Sequence, residues 1–324
     1  MITFFHRNIR AGYSINKVTQ TVISAYKDKV EFYLPFHGAS LNVIIRNLIF
    51  TFKHRDLNSV NHITGDIQYA MLALIGCRSV LTIHDTVSLD FRKMNPIKKI
   101  IFEWIWYRIP LRLATKVVCI SEETKKSIQR FTDRNDIIVI HNAIDPIFQR
   151  VPKDLSQKPF RILLIGTSSN KNLERTVEAL NGFKCQLTII GNLTPSQVEL
   201  IRDNHIEYEV KSGLTDSQIV DEYIKADIVS FISLFEGFGM IIIEANQVGR
   251  PIICSDIPVL KEIANDSALY VNPTDVTDIR NGFKKLFEDS SLRYTLVENG
   301  FINITRFNVH EIRNKWTCLY NSIR

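Results

Sequence analysis

From Phe160 to Val271, short apolar runs alternate with amphipathic stretches of two or three helical turns. Phe160–Ile165 stops at Gly166, and Cys185–Ile190 stops at Gly191. Further runs lie at Ile206–Val210, Ile228–Ile232, Pro251–Cys254 and Ala268–Val271. Helical stretches fall near 172–181, after Pro195, and near 216–225, 240–248 and 258–264. Strands separated by helices run parallel, and a parallel sheet needs helices on both faces to cover it. Ligands of such sheets sit outside the carboxyl ends of the strands. Chemistry is therefore expected in the loops after Ile165, Ile190 and Ile232.

The first half reads as a less regular version of the same architecture. Strands are expected at 2–6, 30–33, 59–62, 79–83, 116–119 and 137–140, with helices at 14–25, 41–50, 65–75, 97–113 and 122–131. Ser121 ahead of Glu122 and Glu123 is a good helix N-cap with acids in the first turn. A chain of 324 residues suits two domains of roughly 150. Val151–Lys158 is polar, carries Pro152 and lacks periodicity, so it reads as the linker. The expected fold is α/β: two Rossmann-like domains, residues 1–150 and 159–305, facing each other across a cleft. Residues 306–324 hold a last helix whose stripe of Ile312, Trp316, Leu319 and Tyr320 needs a partner.

Charge divides unevenly between the halves. Residues 1–154 hold 22 Lys and Arg against 13 Asp and Glu, a net of +9, whereas residues 155–324 hold 18 against 21, a net of −3. A basic first half points to an anionic partner. No zinc-finger or RNP signature accompanies it, which disfavours nucleic acid. Lys98–Arg112 mixes apolar, aromatic and basic residues at helical spacing. It suits either an anionic membrane surface or a core-facing helix. The apolar runs, such as Tyr69–Cys77, fall well short of the roughly 18 residues a membrane span needs. The N-terminus lacks the pattern of a secretory signal. The five cysteines (77, 119, 185, 254 and 318) show no CxxC and suit a reducing cytosol rather than disulfides or zinc.

The densest functional signal is Ser233–Glu244 (SLFEGFGMIIIE), which follows an expected strand and opens a helix. Gly237 and Gly239 let backbone approach a ligand, and the helix start offers N–H groups to phosphate or sugar oxygens. Glu236 lies in the loop. Glu244 lies over one turn into the helix, where an acid can take a vicinal diol. An acid inside so apolar a stretch is unfavourable to bury unpaired. Gly166, Thr167, Ser168 and Lys171 form a second loop of phosphate-binding character, although seen alone Lys171 is equally an exposed lysine near a helix start.

Glu236 and Glu244, eight apart with glycines between, resemble the E-x7-E motif of the retaining glycosyltransferases of family 4, which have the GT-B fold. Further stretches resemble the family in the expected order: Gly166–Arg175, Val139–Asp145 with Ala143 in place of a glycine, and Cys254 through Pro273. The resemblance implies that Glu244 binds the nucleotide ribose. It implies that Glu236 contacts the donor sugar, with Gly237, Phe238, Gly239 and Met240 beside it. It implies that Lys171 lies on the donor phosphates. The family's phosphate-binding arginine falls at Thr167 or Ser168, whose hydroxyls could donate instead. In the first half, His84 after Leu81-Thr-Ile resembles the family histidine near the transferred sugar, with Asp85 orienting it or capping the next turn. Gly12 resembles the glycine of the loop after the first strand. His62 and Asp66 are acceptor-side candidates, and a capped turn at Thr64 or Asp66 is the competing reading. The final helix is expected to pack back on the first domain through Trp316.

The implied activity is transfer of a sugar from a nucleotide diphosphate donor to a glycan or lipid-linked glycan, in bacterial surface polysaccharide synthesis. The implied location is the cytoplasm, at the inner face of the membrane. No cofactor is expected beyond the donor, and no metal, since neither half carries D-x-D. No G-x-G-x-x-G or P-loop occurs, which disfavours a dehydrogenase or P-loop ATPase. A sugar phosphorylase, an epimerase or a non-catalytic partner subunit is the alternative.

Overall fold

The computed structural model describes residues 1–11, 14–86, 95–156 and 158–323. It divides into two units, residues 1–143 with 309–324, and residues 144–308. Each is built on a six-stranded sheet, parallel at every pairing.

In the first unit the strands are β1 (Ile2–His6), β2 (Lys29–Tyr33), β3 (Val60–Ile63), β4 (Ser79–Ile83), β5 (Lys116–Cys119) and β6 (Ile138–Val139), ordered β2-β1-β3-β4-β5-β6. Its helices include α1 (Ser14–Ile23), α2 (Leu41–His54), α3 (Pro96–Glu103), α4 (Ile109–Leu113) and α5 (Glu122–Gln129). β1, β3 and β4 are buried along their whole length. The expected helix over 65–75 is instead a 3-10 helix, Gln68–Leu74. Gly65 and Asp66 both take positive φ, at 130° and 61°, which an α-helix start cannot accommodate. The single helix expected over 97–113 is broken by a π turn at Trp104–Arg108. Pro110 lacks an N–H and its ring crowds the carbonyl four residues back, so the ladder widens just upstream.

The second unit holds β7 (Phe160–Ile165), β8 (Cys185–Ile190), β9 (Glu207–Lys211), β10 (Ile228–Phe231), β11 (Ile252–Ser255) and β12 (Ala268–Val271), ordered β12-β11-β10-β7-β8-β9. Its helices are α6 (Leu173–Leu180), α7 (Pro195–Asp203), α8 (Asp216–Lys225), α9 (Met240–Val248), α10 (Pro258–Ala264), α11 (Val276–Glu288) and α12 (Ser290–Asn303). β7 and β10 are adjacent, with later strands added outward on both sides. The loops leaving these two strands therefore diverge and open a crevice at their carboxyl ends.

The division falls at residue 143, not within Val151–Lys158. The segment expected as linker is packed on the second unit. Val151 N donates to Val248 O at 3.3 Å, Lys153 Nζ pairs with Asp227 at 2.8 Å, and Leu155 is buried. Its polar look comes from side chains that bond backbone, since Lys153 Nζ also donates to Ala226 O at 3.1 Å and to Lys225 O. The last helix, α13 (Val309–Asn321), packs within the first unit. Ile312, Trp316, Leu319 and Tyr320 are buried there, and Arg313 donates to the last-turn carbonyls Thr21 O (2.7 Å) and Val22 O (3.1 Å) of α1. Among the described residues no helix is long and apolar enough to cross a membrane.

Candidate active site

The crevice between β7 and β10 gathers most of the candidate side chains of the second unit. Leaving β7, the chain turns at Gly166 (φ 94°), forms a 3-10 turn at Ser169–Lys171, and enters α6 through Asn172 in the left-handed conformation. Asn172 Nδ2 donates to Pro273 O at 2.7 Å, which locks this corner. The Lys171 stem lies flat on Gly166, where an added Cβ would sit 3.0 Å from Lys171 Cγ. This close approach, with the positive φ, requires glycine. Leaving β10, the chain crosses back so that Leu234 N donates to Asn170 O at 2.8 Å. Lys171 Nζ and Glu236 Oε1, 65 residues apart in sequence, then meet at 2.6 Å. The ammonium also lies 4.9 Å from the centroid of the Phe231 ring.

Gly239 (φ 112°) caps α9, and no side chain caps that helix start. A Cβ there would stand 2.9 Å from Leu260 Cδ2. The backbone at Gly237, Gly239 and Met240 is thus positioned by the sheet end. The Phe238 side chain is buried edge-on to Phe307 at 5.9 Å, so only its backbone can serve a ligand. Glu244 is half-buried, and Tyr223 on α8 donates its hydroxyl to Glu244 Oε2 at 2.6 Å. Burial and the neighbouring carboxylate hold the Tyr223 phenol well above its ordinary pKa, so it is a permanent donor.

The hydroxyls expected to replace the missing arginine are already engaged. Thr167 Oγ1 donates to Asn192 O at 2.7 Å and Ser168 Oγ donates to Asn170 Oδ1 at 2.6 Å. Neither proton is left for a phosphate. The amides from Thr167 to Asn170 have no partner among the described residues. Anion-binding capacity therefore rests on Lys171 and backbone.

In the first unit His84 follows β4, and Thr64 follows β3. His84 Nε2 and Thr64 O are 2.8 Å apart, so Nε2 carries the proton. Burial lowers the His84 pKa, opposed by that hydrogen bond. The His62 ring is buried with both nitrogens engaged inside the first unit. Its Nδ1 lies 2.8 Å from Tyr320 Oη and its Nε2 2.7 Å from Thr82 Oγ1, with the Trp316 ring centroid 5.0 Å from its own. Its side chain points from the sheet face into α13, so it is a packing residue. Asp66 accepts from Arg7 Nη1 at 3.0 Å instead of capping a helix. The Asp85 carbonyl accepts from Tyr107 Oη at 3.3 Å, and the turn it was expected to cap lies outside the described residues, as does Gly12.

Two family models match the chain. "Glycosyltransferase Family 4" covers residues 26–148, and "Glycosyl transferases group 1" covers residues 147–302. The chain belongs to the group 1, family 4 glycosyltransferases. Among similar members is the O-antigen chain mannosyltransferase RfbU of Salmonella typhimurium. It is 26% identical over 220 residues, which are 64% of this chain and 60% of RfbU. The match thus spans about three-fifths of that relative's length. The Campylobacter jejuni N-acetylgalactosamine-N,N'-diacetylbacillosaminyl-diphospho-undecaprenol 4-alpha-N-acetylgalactosaminyltransferase is 24% identical over 276 residues, 80% of this chain and 73% of that one. The crystal structure of Anabaena HepE in complex with UDP and glucose superposes with a TM-score of 0.79 at 16% identity, covering 99% of this chain and 100% of HepE. The fold is GT-B.

Sequence reading missed Tyr223 in this family member. An aromatic inside an amphipathic helix reads as core, and nothing local ties it to an acid 21 residues on. It also gave His62 too much chemistry. Burial lowers the pKa of His62 to about 3 and that of His6 to about 4, both from an ordinary 6.5. A base whose folded pKa is depressed takes up protons in the unfolded chain first, so stability falls as pH drops from 6.5 toward 3–4. At pH 5 each of the two is expected to cost about 2 kcal/mol relative to pH 7. Denaturant titrations of the His62→Gln variant at both pH values check this. The loss between them should shrink by about that amount, and an unchanged loss would assign the acid sensitivity elsewhere.

Proposed function

We propose that the protein is a retaining glycosyltransferase that moves a sugar from a nucleoside diphosphate donor, held by the second unit, to a hydroxyl of a glycan or lipid-linked glycan held by the first. The observation that carries this is the meeting of Lys171 and Glu236 at the β7/β10 switch point, with Glu244 oriented by Tyr223 in the adjoining helix. A diphosphate there would meet one mobile cation, the amides of 167–170 and the uncapped start of α9. Glu236 would accept from sugar hydroxyls and Glu244 from the ribose diol. The residues' task is positioning and stabilising charge on the departing phosphate, whose oxygen would assist deprotonation of the acceptor. Lys171 and the helix start would supply that charge without a divalent ion. RfbU acts in O-antigen synthesis and the Campylobacter relative on a diphospho-undecaprenol substrate. Both names support a role in bacterial surface polysaccharide. The net +9 of residues 1–154 is what favours work at the inner, cytoplasmic membrane face, with that half toward anionic lipid.

A thermal-shift panel of UDP, GDP, ADP and CDP in EDTA tests the reading. A nucleotide at about 100 times its Kd adds about 2.7 kcal/mol to stability. One stabilising nucleotide is the expected result. No stabilisation by any of them would favour a phosphorylase or a non-catalytic subunit. In turnover assays, Glu244→Ala is expected to raise donor KM at least about tenfold, the scale of a hydrogen bond to a charged group. Tyr223→Phe, which keeps the ring and removes the donor, should raise it about fivefold with kcat unchanged. Equal KM for wild type and Tyr223→Phe would remove Tyr223 from the donor site.

A further inference from the structure

The first sheet has a switch point of its own. β1 lies between β2 and β3, so the loops leaving β1 and β3 diverge at their carboxyl ends. A pocket of about 260 Å³ opens there, with Arg7 and Asn8 beyond β1, His37 beyond β2 and Asp66 beyond β3. Its wall of Ala39, Phe102 and Trp106 is shared with a larger trough of about 830 Å³. The trough runs between α2 and α3, lined by Leu41, Ile44, Ile101 and Ile105, and among the described residues Lys98 is the one charged member of its lining.

The two ends differ in chemistry. At the polar end Arg7 is 8% exposed. Its Nη1 donates to Asp66 at 3.0 Å, while Nε is buried with no partner and Nη2 has none among the described residues. The Nε–Nη2 edge of a guanidinium is a fork that grips a phosphate through two parallel bonds. Asp66 offsets part of the charge and holds the fork in place. At the apolar end the described rim residues are exposed. Leu41 is 71% exposed on α2, and Ile97 and Ile101 are 72% and 53% exposed on α3, which buries no residue at all. α2 contains no acid and carries Arg46 and Lys53, so the trough is flanked by positive charge.

We propose that pocket and trough form one subsite for a long-chain alkyl or prenyl phosphate. The phosphate sits on the Nε–Nη2 edge of Arg7, and the hydrocarbon chain lies between α2 and α3. This rests on the reading of a lipid-linked acceptor and names the residues that would hold its anchor.

The test titrates the full chain with alkyl phosphates from hexyl to dodecyl, below micelle-forming concentrations, followed by tryptophan fluorescence, since Trp106 walls both cavities. Affinity should rise about fourfold per added methylene and level off when the trough is full. Dodecyl phosphate should bind at least about tenfold more tightly than dodecanol. Arg7→Gln should erase that preference, with Arg7→Lys as the charge-retaining variant if the first fails to fold. Leu41→Glu and Ile101→Glu alter exposed positions outside the core and should weaken dodecyl phosphate about tenfold. Affinity independent of chain length would overturn the site. So would variants that lose sedimentation with anionic phosphatidylglycerol vesicles while binding dodecyl phosphate normally, because the face would then only dock on a bilayer. A UDP, GDP, ADP and CDP titration of the same samples separates the two readings. Nucleotide binding without alkyl phosphate binding overturns this subsite alone. Alkyl phosphate binding without nucleotide binding sustains it and counts against the transferase.

Discussion

Replacing Arg250 by methionine is expected to destabilise the second unit by about 3–5 kcal/mol, the scale of leaving several buried carbonyls without a donor at about 1–3 kcal/mol each. Arg250 is 1% exposed and, among the described residues, faces no carboxylate at hydrogen-bond distance. Its guanidinium donates to five carbonyls. Nε reaches Tyr223 O at 3.1 Å, Nη2 reaches Ile224 O at 2.9 Å, and Nη1 is shared among Val151, Val248 and Gly249 at 2.9–3.1 Å. These are the carbonyl ends of α8 and α9 and the strap at Val151, groups that helix termini leave unsatisfied. Burial lowers the Arg250 pKa to about 10, with Asp227 opposing, so it stays charged at neutral pH. Methionine fills much of the volume and satisfies none of the acceptors. A melting temperature about 10 °C lower is the expected readout. Arg250→Lys should recover only part of it, because one ammonium cannot span all five. A methionine variant that melts within 2 °C of wild type, in the same roughly per-kcal scale, would mean water replaces the guanidinium.

That clamp is tied to the candidate donor site by hydrogen bonds. Arg250 binds the carbonyl of Tyr223, and Tyr223 binds Glu244. A partly destabilising change such as Arg250→Lys is therefore expected to raise donor KM in parallel with its stability loss.

The second unit was legible because its strands are buried on both faces, which writes them as continuous apolar runs. Ile162, Leu163, Ile228, Val229, Ile252 and Ile253 are all fully buried. The glycines at Gly166 and Gly239 were legible for a related reason, since the backbone there takes a conformation other residues avoid. What stayed hidden was pairing at a distance. Thr167 and Ser168 offer hydroxyls in any sequence, and only the loop's path toward Asn192 and Asn170 decides that both are spent. His62 stands at a strand end like His84, but side chains alternate along a strand, and its ring meets Tyr320 258 residues away. The linker was misplaced because Lys153 and Val151 look solvated until the backbone of 225–226 and 248 is set beside them. The trough was invisible for a different reason. α2 is apolar around much of its circumference, and periodicity cannot say that Ile44 is covered while Leu41, Ile45 and Ile49 are not.

Lys171→Met is expected to lower kcat about 10²–10³-fold, comparable to removing one preorganised charge-stabilising donor. The argument is one of scarcity. With Thr167 and Ser168 committed to the loop, Lys171 is the cationic side chain the loop places at the switch point, 2.6 Å from Glu236. Without donor, Glu236 neutralises it. When a diphosphate enters, the ammonium can turn toward it while Glu236 takes the sugar hydroxyls, so the ion pair holds both groups ready. Both side chains keep about a fifth of their surface in water (20% and 16%), so the pair itself is worth about 1 kcal/mol and the variant should stay folded. Lys171→Arg should not rescue, because the stem lies on Gly166 with carbons 3.0–3.1 Å from where a Cβ would be, leaving no room to re-aim a planar head. Glu236→Gln separates the roles. It should lower kcat while leaving nucleotide affinity intact, whereas Lys171→Met should weaken both. If Lys171→Met turns over within twofold of wild type, the leaving-group charge must be met by the amides of 167–170 and the start of α9 alone. The lysine would then be no more than the counter-ion of Glu236.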